Sequence, residues 1–158
     1  WAHARIPDNA GKQPLSQRII DGAPDAYFAS LPVNAMVAAM NQVEIPAAVS
    51  YTSGTYVCND VMYQVLHALA TRFPETRGTF LHVPFATEQV VKKNAAAAEK
   101  GLAAGEKAAA GEKAGAGEKT RQVPSMSLEM MTRGLQVALE AALANDVDLA
   151  DSESGTTC

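Results

Sequence analysis

The sequence predicts an α/β fold, a three-layer arrangement in which a mostly parallel sheet is flanked by helices. Three observations predict it. Two short apolar segments with β-branched residues, Ala47 to Tyr51 and Thr79 to Val83, read as buried strands. Stretches with apolar residues at helical spacing precede, separate and follow them. Pro and Ser-Gly mark the boundaries.

Taken in order, Pro7 to Pro24 is rich in Pro, Gly, Asp and Asn and predicts a long loop. Pro32 suits the first position of a helix, and Val33, Met36, Val37 and Met40 fall on one face, so a helix is expected from Pro32 to Val43. The strand at Ala47 to Tyr51 follows, then a Ser53-Gly54 turn. From Thr55 to Phe73, Met62, Val65, Leu66 and Leu69 again share a face, and Pro74 stops the run. After the strand at Thr79 to Val83, a loop or short helix is expected up to Lys93. The last helix starts after Pro124, with Ser125 and Ser127 both suited to cap it. Leu128, Met131, Leu135, Ala138 and Ala142 carry its apolar face to about Ala144. Ala2 to Ile6 is a third candidate strand, and a doubly wound sheet needs more than these.

Two segments stand outside this pattern. Ala95 to Lys119 is almost wholly Ala, Gly, Glu and Lys, with Gly-Glu-Lys recurring at 105, 111 and 117. That repeat matches no helical period, and each interior Gly costs a helix roughly 1 kcal/mol, so about 92–122 reads as a flexible, low-complexity insert. The acidic tail at about 146–158 reads as disordered. The remainder forms one α/β domain, or part of one.

The formal net charge of −4, with no Lys/Arg cluster interleaved with aromatics, argues against a nucleic-acid partner. No run of eighteen apolar residues and no basic-then-apolar leader is present, so neither a membrane nor secretion is indicated, and a cytoplasmic location follows by default. The two cysteines, Cys58 and Cys158, do not form a disulfide framework, and no Cys/His spacing fits zinc. The chain begins with Trp1, which leads to the expectation that its natural start lies upstream.

Cys58 follows a strand and a turn, which places it at the first turn of a helix. Unpaired N–H groups and the positive end of the helix dipole favour a thiolate there, and the thiolate is the nucleophile. An isolated cysteine is more often a buried small hydrophobe. His82 lies near the end of a predicted strand, where an imidazole can take a proton from a thiol; taken alone, a strand histidine is more often a satisfied structural group. His67 and His3 read as structural or surface residues.

Together these residues are more specific. Ala4-Arg5-Ile6-Pro7-Asp8-Asn9, Ser50-Tyr51-Thr52-Ser53-Gly54-Thr55-Tyr56-Val57-Cys58-Asn59 with Val61-Met62-Tyr63, Phe80-Leu81-His82-Val83-Pro84 with Glu88-Gln89, and Pro124-Ser125-Met126-Ser127-Leu128 resemble the pyroglutamyl peptidase (pyrrolidone-carboxylate peptidase) family of cysteine peptidases, in the family's order. The resemblance covers the chain outside the insert and tail. It implies that Cys58 is the nucleophile and His82 the general base, that Arg5 stands near the oxyanion beside the Cys58 N–H, and that Tyr56 matches an aromatic packed on the pyroglutamyl ring.

The resemblance also implies removal of N-terminal pyroglutamyl residues from peptide substrates through a thioester, with no cofactor and no metal; a homo-oligomer is left open. The family's third catalytic residue, a glutamate, falls before Trp1, as do the first strands and the loops that hold the lactam ring. Asp8, Asp60 and Glu88 are the nearby acids, and none matches it. These departures lead to the expectation that the chain as given is inactive, or nearly so, even where the full gene product is a competent peptidase. They also favour an alternative, a catalytically inert truncated homologue acting as an interaction or structural module; intact Cys58, His82 and Arg5 oppose it. A generic α/β binding domain would require the motif matches to be accidental.

Overall fold

The computed structural model describes residues 1–96 and 123–150. The described chain divides into two compact units, Trp1–Leu81 with Leu135–Cys158, and His82–Gly134. Residues 97–122, which hold most of the Ala/Gly/Glu/Lys repeat, and residues 151–158 of the acidic tail lie outside the described residues.

In the first unit, helix α1 spans Val33–Gln42 and helix α2 spans Val57–Arg72. Pro32 sits one residue earlier than expected, as the N-cap of α1. Its ring cannot cap through a side chain, and the work is done from afar: the Asp148 carboxylate accepts from the Asn34 N–H at 3.1 Å and from the Ala35 N–H at 3.0 Å. The Asn34 amide in turn donates to the Leu149 carbonyl at 3.1 Å. Residues 146–150 of the acidic segment thus have a role that their composition does not announce.

Helix α4 spans Leu128–Ala144, and from Leu135 onward it belongs to the first unit. Its buried positions are small: Ala138 and Ala142 pack with Met36 of α1, and Leu31, Met40 and Ala141 close around them. Small residues at i and i+4 let two helices approach closely, and the methionine fills the space left. The larger residues of the expected α4 face do not go inside, for Leu128 and Leu135 are 64% and 41% exposed. On α2 the buried face is rotated by one position, so that Tyr63 and Leu66 are buried while Val65 is exposed.

The expected strands at 47–51 and 79–83 are not strands among the described residues. A strand exists only where a neighbouring backbone supplies the ladder. Here side chains take part of that place. The Asn41 amide donates to the Ala47 carbonyl at 3.1 Å and accepts from its N–H at 3.0 Å. At Gly78, just before the second segment, Ser30 supplies a backbone N–H and a hydroxyl acceptor, both at 2.9 Å. Gly78 itself is required by packing, because a Cβ there would collide with the Leu69 side chain of α2. The third candidate strand, Ala2 to Ile6, reduces to one antiparallel bridge between Ala2 and Gln17.

The second unit holds strand β1 (Phe85–Ala86), helical residues 87–96, here α3, strand β2 (Ser125–Met126) and the start of α4. The two strands pair in parallel, with Phe85 opposite Ser125 and Ala86 opposite Met126. Ser125 is therefore a strand residue, and Ser127 is the cap of α4: its hydroxyl accepts from the Met130 N–H at 3.2 Å. The chain is α/β, with its parallel pairing among the described residues at β1 and β2 rather than at the expected strands.

Candidate functional site

Gly54 adopts φ of +79°, a left-handed conformation that favours glycine, and its N–H is held by the Thr52 hydroxyl at 3.0 Å. This turn delivers the chain into α2. Cys58 is the second residue of that helix and is half-buried. The N-cap residue of α2 is Tyr56, which makes no side-chain capping bond, so it leaves the first-turn N–H groups and the positive end of the dipole for an anion. Tyr56 is 41% exposed.

Arg5 belongs to the same unit and is exposed. The backbone before it is fastened to the segment around Cys58. The His3 N–H donates to the Thr55 carbonyl at 2.8 Å, and the Thr55 hydroxyl donates to the His3 carbonyl at 3.1 Å. The Asn59 amide donates to the Trp1 carbonyl at 2.7 Å. Thr55 and Asn59 lie within the motif quoted above, but no role for them was legible there, because their partners are 52 and 58 residues away in sequence. His82 is the first residue of the second unit, exposed, three positions before β1.

The remaining candidates fall into structural roles. Asp8 Oδ1 accepts from the N–H groups of Ala10 and Lys12 at 2.9 and 2.8 Å, holding the loop around Gly11. Asp60 accepts from Gln64 on the same helix at 2.8 Å. His67 Nδ1 meets the Tyr27 hydroxyl at 2.8 Å, and its ring stacks parallel to that of Tyr63 at 6.5 Å between centroids. Tyr63 in turn donates to the Pro24 carbonyl, so α2 is pinned to the loop of residues 24–27. Burial pushes the Tyr63 phenol above its ordinary value, with Tyr27 adding to the rise, Arg18 opposing it and Asp25 adding a little more. Among the described residues no group of three or more His, Cys, Asp or Glu could hold a metal ion, and no helix is long and apolar enough to cross a membrane.

The family model for pyroglutamyl peptidase matches residues 1–113, which include Arg5, Tyr56, Cys58 and His82. The chain belongs to the pyroglutamyl peptidase family. It is 40% identical over 156 residues to a pyrrolidone-carboxylate peptidase of Enterococcus faecalis, covering 99% of this chain and 60% of that protein. Over 94 residues it is 55% identical to one from Streptomyces coelicolor, covering 60% of this chain and 44% of that protein. The crystal structure of pyroglutamyl peptidase I from Bacillus amyloliquefaciens superposes with a TM-score of 0.73 at 32% identity, over 96% of this chain and 59% of that one. The α/β fold is thus the pyroglutamyl peptidase fold over the part compared, and the matches span between 44% and 60% of the length of these relatives.

Proposed function

We propose that the protein is a cysteine peptidase that removes N-terminal pyroglutamyl residues from peptides. The observation that carries this reading is Cys58 on the first turn of α2, behind the Gly54 turn and within the stretch that the family model matches.

In the proposed mechanism the His82 imidazole takes the Cys58 proton, and the thiolate attacks the carbonyl that joins the pyroglutamyl ring to the peptide. The oxyanion that forms is met by the Cys58 N–H and the Arg5 guanidinium, fixed donors aimed where charge develops. As the tetrahedral intermediate collapses, His82 returns its proton to the leaving amine and a thioester remains. Water, deprotonated by the same imidazole, then hydrolyses the thioester and frees pyroglutamate and the thiol. Tyr56 packs against the lactam ring. No step calls for a metal or an organic cofactor. The proposal extends to the fold, a three-layer, mostly parallel sheet flanked by helices, in one domain interrupted at about 92–122. It includes a cytoplasmic location, and it leaves a homo-oligomer open.

The test is turnover of a fluorogenic pyroglutamyl amide. Iodoacetamide is expected to label Cys58 and end the activity, and Cys58→Ser to be nearly dead, because an unactivated hydroxyl is a far weaker nucleophile than a thiolate. Undiminished turnover in Cys58→Ser would show that the nucleophile lies elsewhere. No turnover by the whole gene product that carries residues 1–158 would favour the inert homologue.

A further inference from the structure

We propose that Thr55 and Asn59 are positioning residues that fix Arg5 beside the Cys58 thiol, an inference that rests on the peptidase reading above. Residues 1–4 are held along both edges. On one edge the Ala2 N–H donates to the Gln17 carbonyl at 2.8 Å, the Gln17 N–H returns a bond to the Ala2 carbonyl at 3.0 Å, and the Ala4 N–H donates to the Pro14 carbonyl at 2.8 Å. On the other edge both backbone groups of His3 go to Thr55, at 2.8 and 3.1 Å, and the Trp1 carbonyl goes to Asn59 at 2.7 Å. Alternate residues of an extended segment direct their backbone groups to opposite edges, and the pairing of Ala2 and Ala4 one way and His3 the other follows that rule.

The bonds from the second edge bracket the nucleophile. Thr55 is three residues before Cys58 and Asn59 is the residue after it. Arg5 is two residues beyond His3, so its Cα lies within about 7 Å of that of His3 at full extension. The backbone from which the Arg5 side chain starts is therefore held to the start of α2 by three hydrogen bonds, two of them donated by the side chains of Thr55 and Asn59. Ala2 and Ala4 are buried, at 9% and 1% exposure, so the segment they anchor has little freedom to drift from the other edge. Arg5 itself is exposed, and among the described residues it makes no hydrogen bond or ion pair that would place it independently of this backbone.

A displaced oxyanion donor weakens the transition state and leaves substrate binding alone, because the charge it meets develops only as the thiolate attacks. Two variants separate this role from a general loss of structure. Thr55→Val keeps the shape and the carbonyl that receives the His3 N–H but leaves the His3 carbonyl without its donor. Asn59→Asp turns a donor into an acceptor facing the Trp1 carbonyl.

The experiment measures, in the whole gene product carrying residues 1–158, kcat and KM on a pyroglutamyl amide, the rate at which iodoacetamide alkylates Cys58, and the same variants in an Arg5→Ala background. Each variant is expected to lower kcat about tenfold, with KM and the alkylation rate within about twofold of the parent. Thr55→Ser, which restores the hydroxyl, is expected to recover kcat. In Arg5→Ala protein neither variant should lower kcat further, since groups that act as a unit are not additive. Equal losses with and without Arg5 would overturn the proposal, as would a rise in KM at unchanged kcat. If Asn59→Asp does not fold, Thr55→Val and Thr55→Ser decide the matter. A whole gene product carrying residues 1–158 that is inactive toward the amide defeats the peptidase reading and this inference with it, whereas an active one with indifferent Thr55 and Asn59 variants defeats this inference alone.

Discussion

Asp148→Ala should cost the chain about 2 kcal/mol of stability, although the residue lies in an acidic stretch that looks expendable in sequence. Its carboxylate accepts two N–H groups of the first turn of α1, from Asn34 and Ala35, across more than a hundred residues of chain. Loss of a side-chain cap costs about 0.5–2 kcal/mol, and a negative charge at a helix start contributes about 0.3–1 kcal/mol more. The site is half-buried, which places the cost in the upper part of the range. For a chain of this length that corresponds to a fall in Tm of about 4–8 °C. Asp148→Asn keeps an acceptor oxygen and loses the charge, so about half the cost is expected, and salt should narrow the difference between Asp and Asn. The control is Asp146→Ala. Its carboxylate is 99% exposed and meets Arg77 only at 3.8 Å, so no measurable change is expected. The assay is urea unfolding followed by far-UV circular dichroism on all four proteins. Indistinguishable midpoints for Asp148→Ala and the parent would refute the capping argument, as would equal effects at 146 and 148, which would mean that net charge rather than position matters.

Arg77→Ala should lower stability by about 1–2 kcal/mol, because its guanidinium donates to the Asn145, Asp146 and Ala142 carbonyls at 2.9, 3.4 and 3.1 Å and so closes the C-terminal end of α4. Arg77→Lys should recover less than half of that in the same urea assay, since an ammonium cannot span three carbonyls as the planar fork does. The Tyr63 phenol titrates higher in the folded chain than its ordinary value of 10.0, so its contribution is fully present below that pH and is lost as pH rises through the folded value. Unfolding midpoints measured from pH 8 upward should therefore fall more steeply beyond about pH 10 in the parent than in Tyr63→Phe, and parallel curves would contradict the assignment.

What the sequence made legible, and what it did not, divides by distance along the chain. Helices α1, α2 and α4 begin and end within two residues of their expected bounds, because the 3.6-residue spacing, Pro32, Pro74 and Ser127 are all local signals. The strands were misplaced for the opposite reason. Apolar, β-branched composition reports burial, but a ladder needs a partner strand, and among the described residues the paired strands lie at 85–86 and 125–126. The buried face of α2 is offset because Tyr63, which lies outside the Met62, Val65, Leu66 and Leu69 pattern, carries a ring that packs on Tyr27 and His67. The reach of Asp148 to α1 and of Thr55 to His3 has no periodic signature at all. At the site, the turn and helix start that present Cys58 were legible, and the fastening of the Arg5 segment was not.

Helices α1, α2 and α4 also differ at their first turns, and the difference falls where the chemistry is proposed. Helix α4 starts under a Ser127 hydroxyl and α1 under a carboxylate brought from the far end of the chain. Such caps contribute about 1 kcal/mol each. The N-cap position of α2 could carry Ser, Asp or Asn at no conformational expense, yet it carries Tyr56, whose hydroxyl lies too far out on its ring to turn back on the helix, and no side-chain cap forms. A capping oxygen at that position would occupy the N–H groups of the first turn, the Cys58 neighbourhood included, and would place electron density where the proposed oxyanion must come to rest. Stability alone favours a short polar side chain there. An anion that develops at Cys58 during the reaction favours an open helix end and an aromatic surface beside it, and the sequence at positions 56–58 meets the second demand rather than the first.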